Sequence, residues 1–119
     1  FANHYKLDNL CIMIDVNGLQ IDGATADVMP SEPLDQKFEA FNWNVLHVDG
    51  HDYAAIAAAL EQAAACKDKP TVILARTIKG KGVSYMENNA GWHGKAPNDE
   101  QYEIAKAELE RALAELEAN

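Results

Sequence analysis

The sequence predicts an α/β fold, a partial parallel sheet with flanking helices. Three observations carry that prediction. Leu10–Val16 (LCIMIDV) is a near-continuous apolar run of strand length, set between Asp8-Asn9 and Asn17-Gly18. Thr71–Arg76 (TVILAR) is a second such run, rich in β-branched residues and preceded by Pro70. Segments of strand and helix length alternate between and around them, which favours right-handed βαβ crossovers and a layered sheet.

Each element has its own local reason. Leu10–Val16 reads as a strand buried on both faces at the centre of the sheet, because only such strands dispense with polar alternation. Asn17–Ser31 carries two glycines, short polar residues and Pro30, and reads as a long loop whose order must come from function or from a neighbouring chain. Ser31 is placed to cap a short helix over 33–41, with Leu34, Phe38 and Phe41 on one face. Asn44–Val48 is a second strand, and Asp49-Gly50 a turn. Asp52 caps an alanine-rich helix over 53–65, whose expected packed stripe is Tyr53, Ile56, Leu60 and Ala64. Thr71–Arg76 is the third strand. Thr77–Pro97 is irregular and glycine-rich. Asn98, with Gln101 three residues on, opens a capping box for a last helix reaching about Leu116. Its expected apolar stripe is Ala105, Leu109, Ala112, Leu113 and Leu116, and the acidic Glu115 and Glu117 oppose the dipole of its last turn. Ligands of such sheets bind beyond the carboxyl ends of the strands, so chemistry is expected at 17–23 and 77–94.

Composition narrows the partners. Lys and Arg number 10 against 19 Asp and Glu, a net charge of −9. A surface this acidic repels phosphate backbones and anionic headgroups, so neither nucleic acid nor a membrane is expected as a partner. No apolar run approaches the roughly 18 residues that span a bilayer. The opening FANHYK has no basic leader or long apolar stretch, hence no signal peptide is expected. Because the chain starts at Phe1, it is expected to begin inside a domain. The two cysteines, Cys11 and Cys66, form no C-x-x-C, which argues against a disulfide scaffold or zinc module and favours the cytoplasm. Cys11 is expected to be inert core.

Three segments can carry chemistry. In Ile14–Gly23 (IDVNGLQIDG), Asp15 and Asn17 place oxygen ligands at a strand end, and Gly18 and Gly23 allow positive φ. An asparagine oxygen with a nearby backbone carbonyl makes half a magnesium site; from spacing alone, a plain strand-to-turn junction is the better reading. An EF-hand is excluded, because Leu19 and Gln20 occupy its fifth and sixth positions. Thr77–Gly82 (TIKGKG) matches neither a Walker A motif nor GxGxxG, and Lys79 and Lys81 either face an anion or are simply solvated. In Gly91–Pro97 (GWHGKAP), His93 between glycines is free to move a proton or donate to a phosphate, or else is an exposed loop residue beside a packed Trp92. His47 and His51 read as structural, and Cys66 as inert.

Taken together and in order, LDNL (7–10), IDVNGLQIDG (14–23), FNWNVLHVDGHD (41–52), KPTVILARTIKGKG (69–82) and MENNAGWHG (86–94) resemble the thiamine diphosphate-binding N-terminal domain of transketolases, in the form split into two subunits. The resemblance covers nearly the whole chain. It implies that residues 1–119 are the C-terminal portion of one such domain, an incomplete thiamine diphosphate-binding fold. It implies transfer of a two-carbon ketol unit between sugar phosphates, with thiamine diphosphate and Mg2+ (or Ca2+ or Mn2+). By the resemblance Asn17 is the side-chain metal ligand, Leu19 the backbone-carbonyl ligand, and Ile21 the apolar residue against the cofactor rings. His93 contacts the diphosphate and lines the reaction centre.

The departures are as informative. The family's motif opens with GDG and a metal-binding aspartate, which this sequence lacks, along with the family's upstream histidines. The glutamate that activates the cofactor lies on the pyrimidine-binding domain, here a second subunit. The resemblance therefore implies a hetero-oligomer or dimer, inactive as this chain alone. Lys79 stands where many relatives have an apolar residue, and Lys95 interrupts the usual H-G-A-P. Two other functions compete. One is a different thiamine diphosphate enzyme, a synthase or a 2-oxo acid dehydrogenase component. The other is a non-catalytic acidic module that binds a partner protein.

Overall fold

The computed structural model describes residues 1–118. Its elements in chain order are β1 (Cys11–Val16), β2 (Leu19–Gln20), β3 (Gly23–Ala24), α1 (Thr25–Val28), α2 (Leu34–Ala40), β4 (Asn44–Asp49), α3 (Tyr53–Ala65), β5 (Thr71–Arg76), a 3-10 turn (Ala90–Trp92) and α4 (Asp99–Glu117). They group into two units: Phe1–Asn17 with Pro30–Thr77, and Gly18–Met29 with the residues from Ile78 onward.

The first unit is a three-stranded parallel sheet in the order β1-β5-β4. Among the described residues TVILAR is therefore the middle strand, paired on both sides, whereas LCIMIDV, expected at the centre, is paired on one side. Thr71 to Ala75 are all buried, Val72 and Ile73 completely, whereas β1 alternates exposed and half-buried residues. Continuous burial belongs to the strand flanked on both sides, and hydrophobicity alone does not say which of two apolar runs that is. Cys11 is accordingly exposed rather than core, and Met13 is 50% exposed. The one buried polar side chain in this strand, Thr71, accepts a hydrogen bond from Asn44 Nδ2 at 3.2 Å across to β4. A buried hydroxyl without such a partner would cost roughly 1–3 kcal/mol.

β4, α3 and β5 make one parallel βαβ unit, with α3 packed on β4. Asp52 caps α3 as expected, accepting from Ala54 N at 2.9 Å and Ala55 N at 3.0 Å. The packed stripe differs from the expected one. Ala59 and Ala63 are buried and Ile56 half-buried, while Tyr53 is 89% and Leu60 47% exposed. Alanines bring helix and sheet together closely; the larger side chains flank that contact line. At α2 the expected Ser31 cap is replaced: Pro33 holds the cap position, and Glu32 Oε2 accepts from Leu34 N at 2.8 Å. Trp43 packs edge-on to Phe38, with ring centroids 5.3 Å apart, tying α2 to the start of β4.

In the second unit, the region expected to be loop contains structure. β2 and β3 form a small antiparallel hairpin with Gln20 opposite Gly23, and α1 follows it directly. The two-residue connection Ile21-Asp22 ahead of Gly23 is the hairpin signal that a reading of the segment as featureless loop overlooks. α4 opens with the expected capping box. Gln101 N donates to Asn98 Oδ1 at 2.9 Å, and Asn98 N to Gln101 Oε1 at 3.0 Å. Its expected apolar stripe is not packed among the described residues: Leu109, Leu113 and Leu116 are 49%, 55% and 75% exposed.

Candidate functional site

Parallel pairing aligns the strand exits. Val16 lies opposite Arg76 in the β1–β5 register, so the chain leaves both strands at the same end of the sheet. Thr77 joins these exits. Its amide donates to Val16 O at 3.4 Å, and its hydroxyl makes a short hydrogen bond to Asp15 Oδ1. Asp15 is thereby a structural acceptor at the strand end. Asn17 follows, half-buried, at the carboxyl end of β1.

The second unit begins with Gly18 at φ +73°. Its carbonyl accepts from both the amide (2.9 Å) and the hydroxyl (3.1 Å) of Thr25, at the start of α1. That clamp fixes the turn entering the hairpin. A Cβ at Gly18 would meet nothing within 4 Å, so only the backbone conformation resists substitution. Gly18→Ala is expected to cost about 1 kcal/mol, and Gly18→Val more, measured by denaturant unfolding of the protein. Gly18→Asn should recover part of the loss, because asparagine tolerates the left-handed region.

The hairpin places Leu19 in β2, half-buried, and Ile21 at its tip, 63% exposed and so presented for contact rather than stored in a core. β3 packs against the 3-10 turn, which leads directly into His93. Within this unit, then, the hairpin bearing Leu19 and Ile21 lies alongside the segment bearing His93. Asn17 stands in the first unit. His93 is exposed; its amide donates to Ala90 O at 2.9 Å, closing the turn. Asn89 stabilises the same turn by accepting from Gly91 N at 2.9 Å.

From Ile78 onward the TIKGKG loop is held by bonds within the second unit. Gly80, at φ +71°, sits so close to Met86 that a Cβ would lie 2.6 Å from the Met86 carbonyl oxygen. Lys79 O accepts from Asn88 N at 3.0 Å, and Lys81 pairs with Glu87 at 3.6 Å. Farther along, Ser84 donates both its amide (2.8 Å) and its hydroxyl (2.5 Å) to the Glu108 carboxylate on α4. Tyr85 donates from its hydroxyl to Gln101 O at 2.8 Å and leans on Trp92, ring centroids 5.1 Å apart. Neither contact to α4 was signalled by a motif, since each joins residues sixteen or more apart in sequence.

The Ser84 hydroxyl and then its amide hold Glu108 below its ordinary value of 4.5, with Arg111 helping. A carboxyl depressed in the folded state stabilises fully above its unfolded pKa, and the contribution is lost as pH falls through the folded value. The wild type should therefore lose more thermal stability than Glu108→Gln between about pH 6 and pH 3, as read by Tm against pH.

The remaining candidates of the sequence lie outside this arrangement. His47 is an exposed strand residue, and the His51 amide donates to Asp49 Oδ1 at 2.9 Å in the turn. Cys66 is half-buried, with its sulfur 4.0 Å from Lys69 O. Among the described residues no group of three or more His, Cys, Asp or Glu is placed to hold a metal ion.

A family model described as the transketolase thiamine diphosphate-binding domain matches residues 1–113. The chain belongs to this family. It is 43% identical over 111 residues to the 6-deoxy-6-sulfo-D-fructose transketolase subunit SqwG of a Clostridium species, covering 93% of this chain and 40% of that protein. It is 43% identical over 116 residues to one subunit of the apulose-4-phosphate transketolase of Phocaeicola vulgatus, covering 98% of this chain and 41% of that one. The chain thus spans about two fifths of the length of these curated relatives. Among solved structures, transketolase from Campylobacter jejuni superposes with a TM-score of 0.82 at 36% identity, covering 89% of this chain and 16% of the other. The mixed α/β architecture is thus that of a transketolase domain.

Proposed function

We propose that this chain is part of the diphosphate-binding subunit of a split transketolase, which moves a two-carbon ketol unit between sugar phosphates. The observation that carries the reading is the near-complete match of the chain to two proteins named as transketolase subunits, with the motif residues at the strand exits and on the adjoining hairpin. The partner would be the subunit carrying the pyrimidine-binding domain. The two free cysteines, one of them exposed, suit a reducing cytoplasm.

The donor set fits a magnesium ion shared with a diphosphate. Asn17 offers a side-chain amide oxygen and Leu19 a main-chain carbonyl. Both are neutral oxygen donors, so they complete a hard cation's shell without competing in charge with the phosphates. The anionic share must come from the diphosphate and from a carboxylate in the rest of the subunit; this is why the chain alone is expected to be inactive. Ile21 would press its side chain against the cofactor rings. His93 would donate to the diphosphate and hold a proton near the reacting carbon. Thiamine diphosphate, when bound, supplies the carbanion chemistry; the chain supplies orientation and electrostatics.

The test is turnover and ligand-linked stability of the assembled two-subunit enzyme. Thiamine diphosphate with Mg2+ should raise Tm, and ketose phosphates should outperform 2-oxo acids as donors. His93→Ala should lower kcat by about 10²–10⁴-fold while leaving the Tm without cofactor within a few degrees. A preference for 2-oxo acids would instead mark a different thiamine diphosphate enzyme. The absence of any cofactor-dependent rise in Tm would mark a non-catalytic module.

A further inference from the structure

Thr77, the first residue of TIKGKG, stands at the exit of the middle strand, with β1 on one side and β4 on the other. Its hydroxyl turns to β1 and donates to Asp15 Oδ1, and its amide donates to Val16 O at 3.4 Å. Its methyl turns to the other side and sits against Gly50, in the turn after β4. A Cβ on Gly50 would overlap that methyl and lie 3.0 Å from Arg76 O, the carbonyl to which Gly50 N donates at 2.7 Å. Gly50 does not have a positive φ, so it is this close approach, and not the backbone conformation, that asks for glycine.

The two contacts are coupled. A β-branched side chain is stiff at χ1, so a methyl seated against Gly50 keeps the hydroxyl aimed at Asp15. The result falls on Asn17. Val16 O belongs to the rigid peptide plane that carries Asn17 N and Cα. Holding that oxygen, and the side chain one residue earlier, sets where Asn17 leaves the strand. The amide bond is long and orients weakly, so the hydroxyl bond to the carboxylate is the stronger tie.

Resting on the reading that Asn17 is a ligand of the ion shared with the diphosphate, we propose that Thr77 is a positioning residue. Wedged by Gly50, its hydroxyl holds the end of β1 so that Asn17 presents its oxygen without rearrangement. A ligand that is not held must be ordered when the ion binds, and the cost appears as lost affinity.

The experiment titrates thiamine diphosphate at saturating Mg2+, and Mn2+ alone, into the assembled two-subunit enzyme by calorimetry. Thr77→Val keeps the shape and removes the hydroxyl; it should weaken both ligands about tenfold, the lower end of the range for outer partners of metal ligands. Thr77→Ser, which keeps the hydroxyl, should recover most of the loss. At saturating cofactor, kcat of Thr77→Val should return to within about twofold of the wild type, since the bond-making chemistry is the cofactor's. Gly50→Ala should weaken binding as Thr77→Val does, and the pair should be no worse than either alone, because both break the same tie. Thr71→Val removes a buried hydroxyl from the opposite end of the same strand; it should lower Tm and leave both affinities unchanged. Wild-type affinities in Thr77→Val beside weakened ones in Asn17→Ala overturn the positioning role and leave the ligand reading intact. So do additive losses for Gly50→Ala and Thr77→Val, or an equal loss for Thr71→Val. Wild-type affinities in Asn17→Ala overturn the ligand reading and this inference with it.

Discussion

Asn17→Ala in the assembled enzyme is expected to weaken metal and thiamine diphosphate binding together, by about 10–100-fold, the range seen when even an outer partner of a metal ligand is removed. Magnesium demands a near-octahedral oxygen shell, and on the proposed function alanine would withdraw one oxygen from it at the carboxyl end of β1. Asn17→Asp separates geometry from charge. It keeps an oxygen in the same place but adds a negative charge, so metal affinity should survive better than affinity for the diphosphate. Isothermal titration of the cofactor at saturating Mg2+, and of Mn2+ alone, distinguishes the two. If Asn17→Ala bound the cofactor as tightly as the wild type, Asn17 would not be a ligand.

Ile73→Ala is expected to have the largest effect on stability. Ile73 is completely buried in the middle strand, with β1 on one side and β4 on the other. Truncating it removes three carbons from a place where the two flanking strands cannot collapse inward without breaking the ladder. The expected loss is about 3–5 kcal/mol, from the lost transfer free energy and the residual cavity. Ile73→Val, short of a single methyl, should cost about 0.5–1.5 kcal/mol. Denaturant unfolding of the protein measures both. A loss below about 1 kcal/mol for Ile73→Ala would place the core elsewhere than around β5.

What was legible in the sequence follows from which interactions are local. The βαβ unit of β4, α3 and β5 was readable because each part carries its own signal: a β-branched run, an Asp52 cap, a proline before the last strand. The capping box of α4 was readable because Asn98 and Gln101 satisfy each other three residues apart. The order of the strands was not. LCIMIDV and TVILAR are similarly apolar, and only their pairing decides which of them is flanked on both sides among the described residues. The stripe of α3 was misplaced for a related reason. The helix meets β4 along Ala59 and Ala63, so close approach rather than side-chain size chose the face.

Among the candidate residues, Asn17 and His93 stood out through their motifs, and Leu19 and Ile21 through the family resemblance. The contacts that shape their surroundings did not, because they join distant residues: Thr77 to Asp15, Ser84 to Glu108, Tyr85 to Gln101. The Thr25 clamp on Gly18 is nearer in sequence, but it was hidden by reading 17–31 as a single loop.

On the proposed function, Asn17 Oδ1 and the Leu19 carbonyl oxygen would share a divalent ion with a diphosphate. The direct measurement is a crystal structure of the assembled heteromer with thiamine diphosphate and Mn2+, the ion located by its anomalous signal. The expected result is a peak with both oxygens at coordination distance, about 2.1–2.2 Å, and the diphosphate completing the shell. A peak ligated by other residues, with those two oxygens turned away from it, would contradict it.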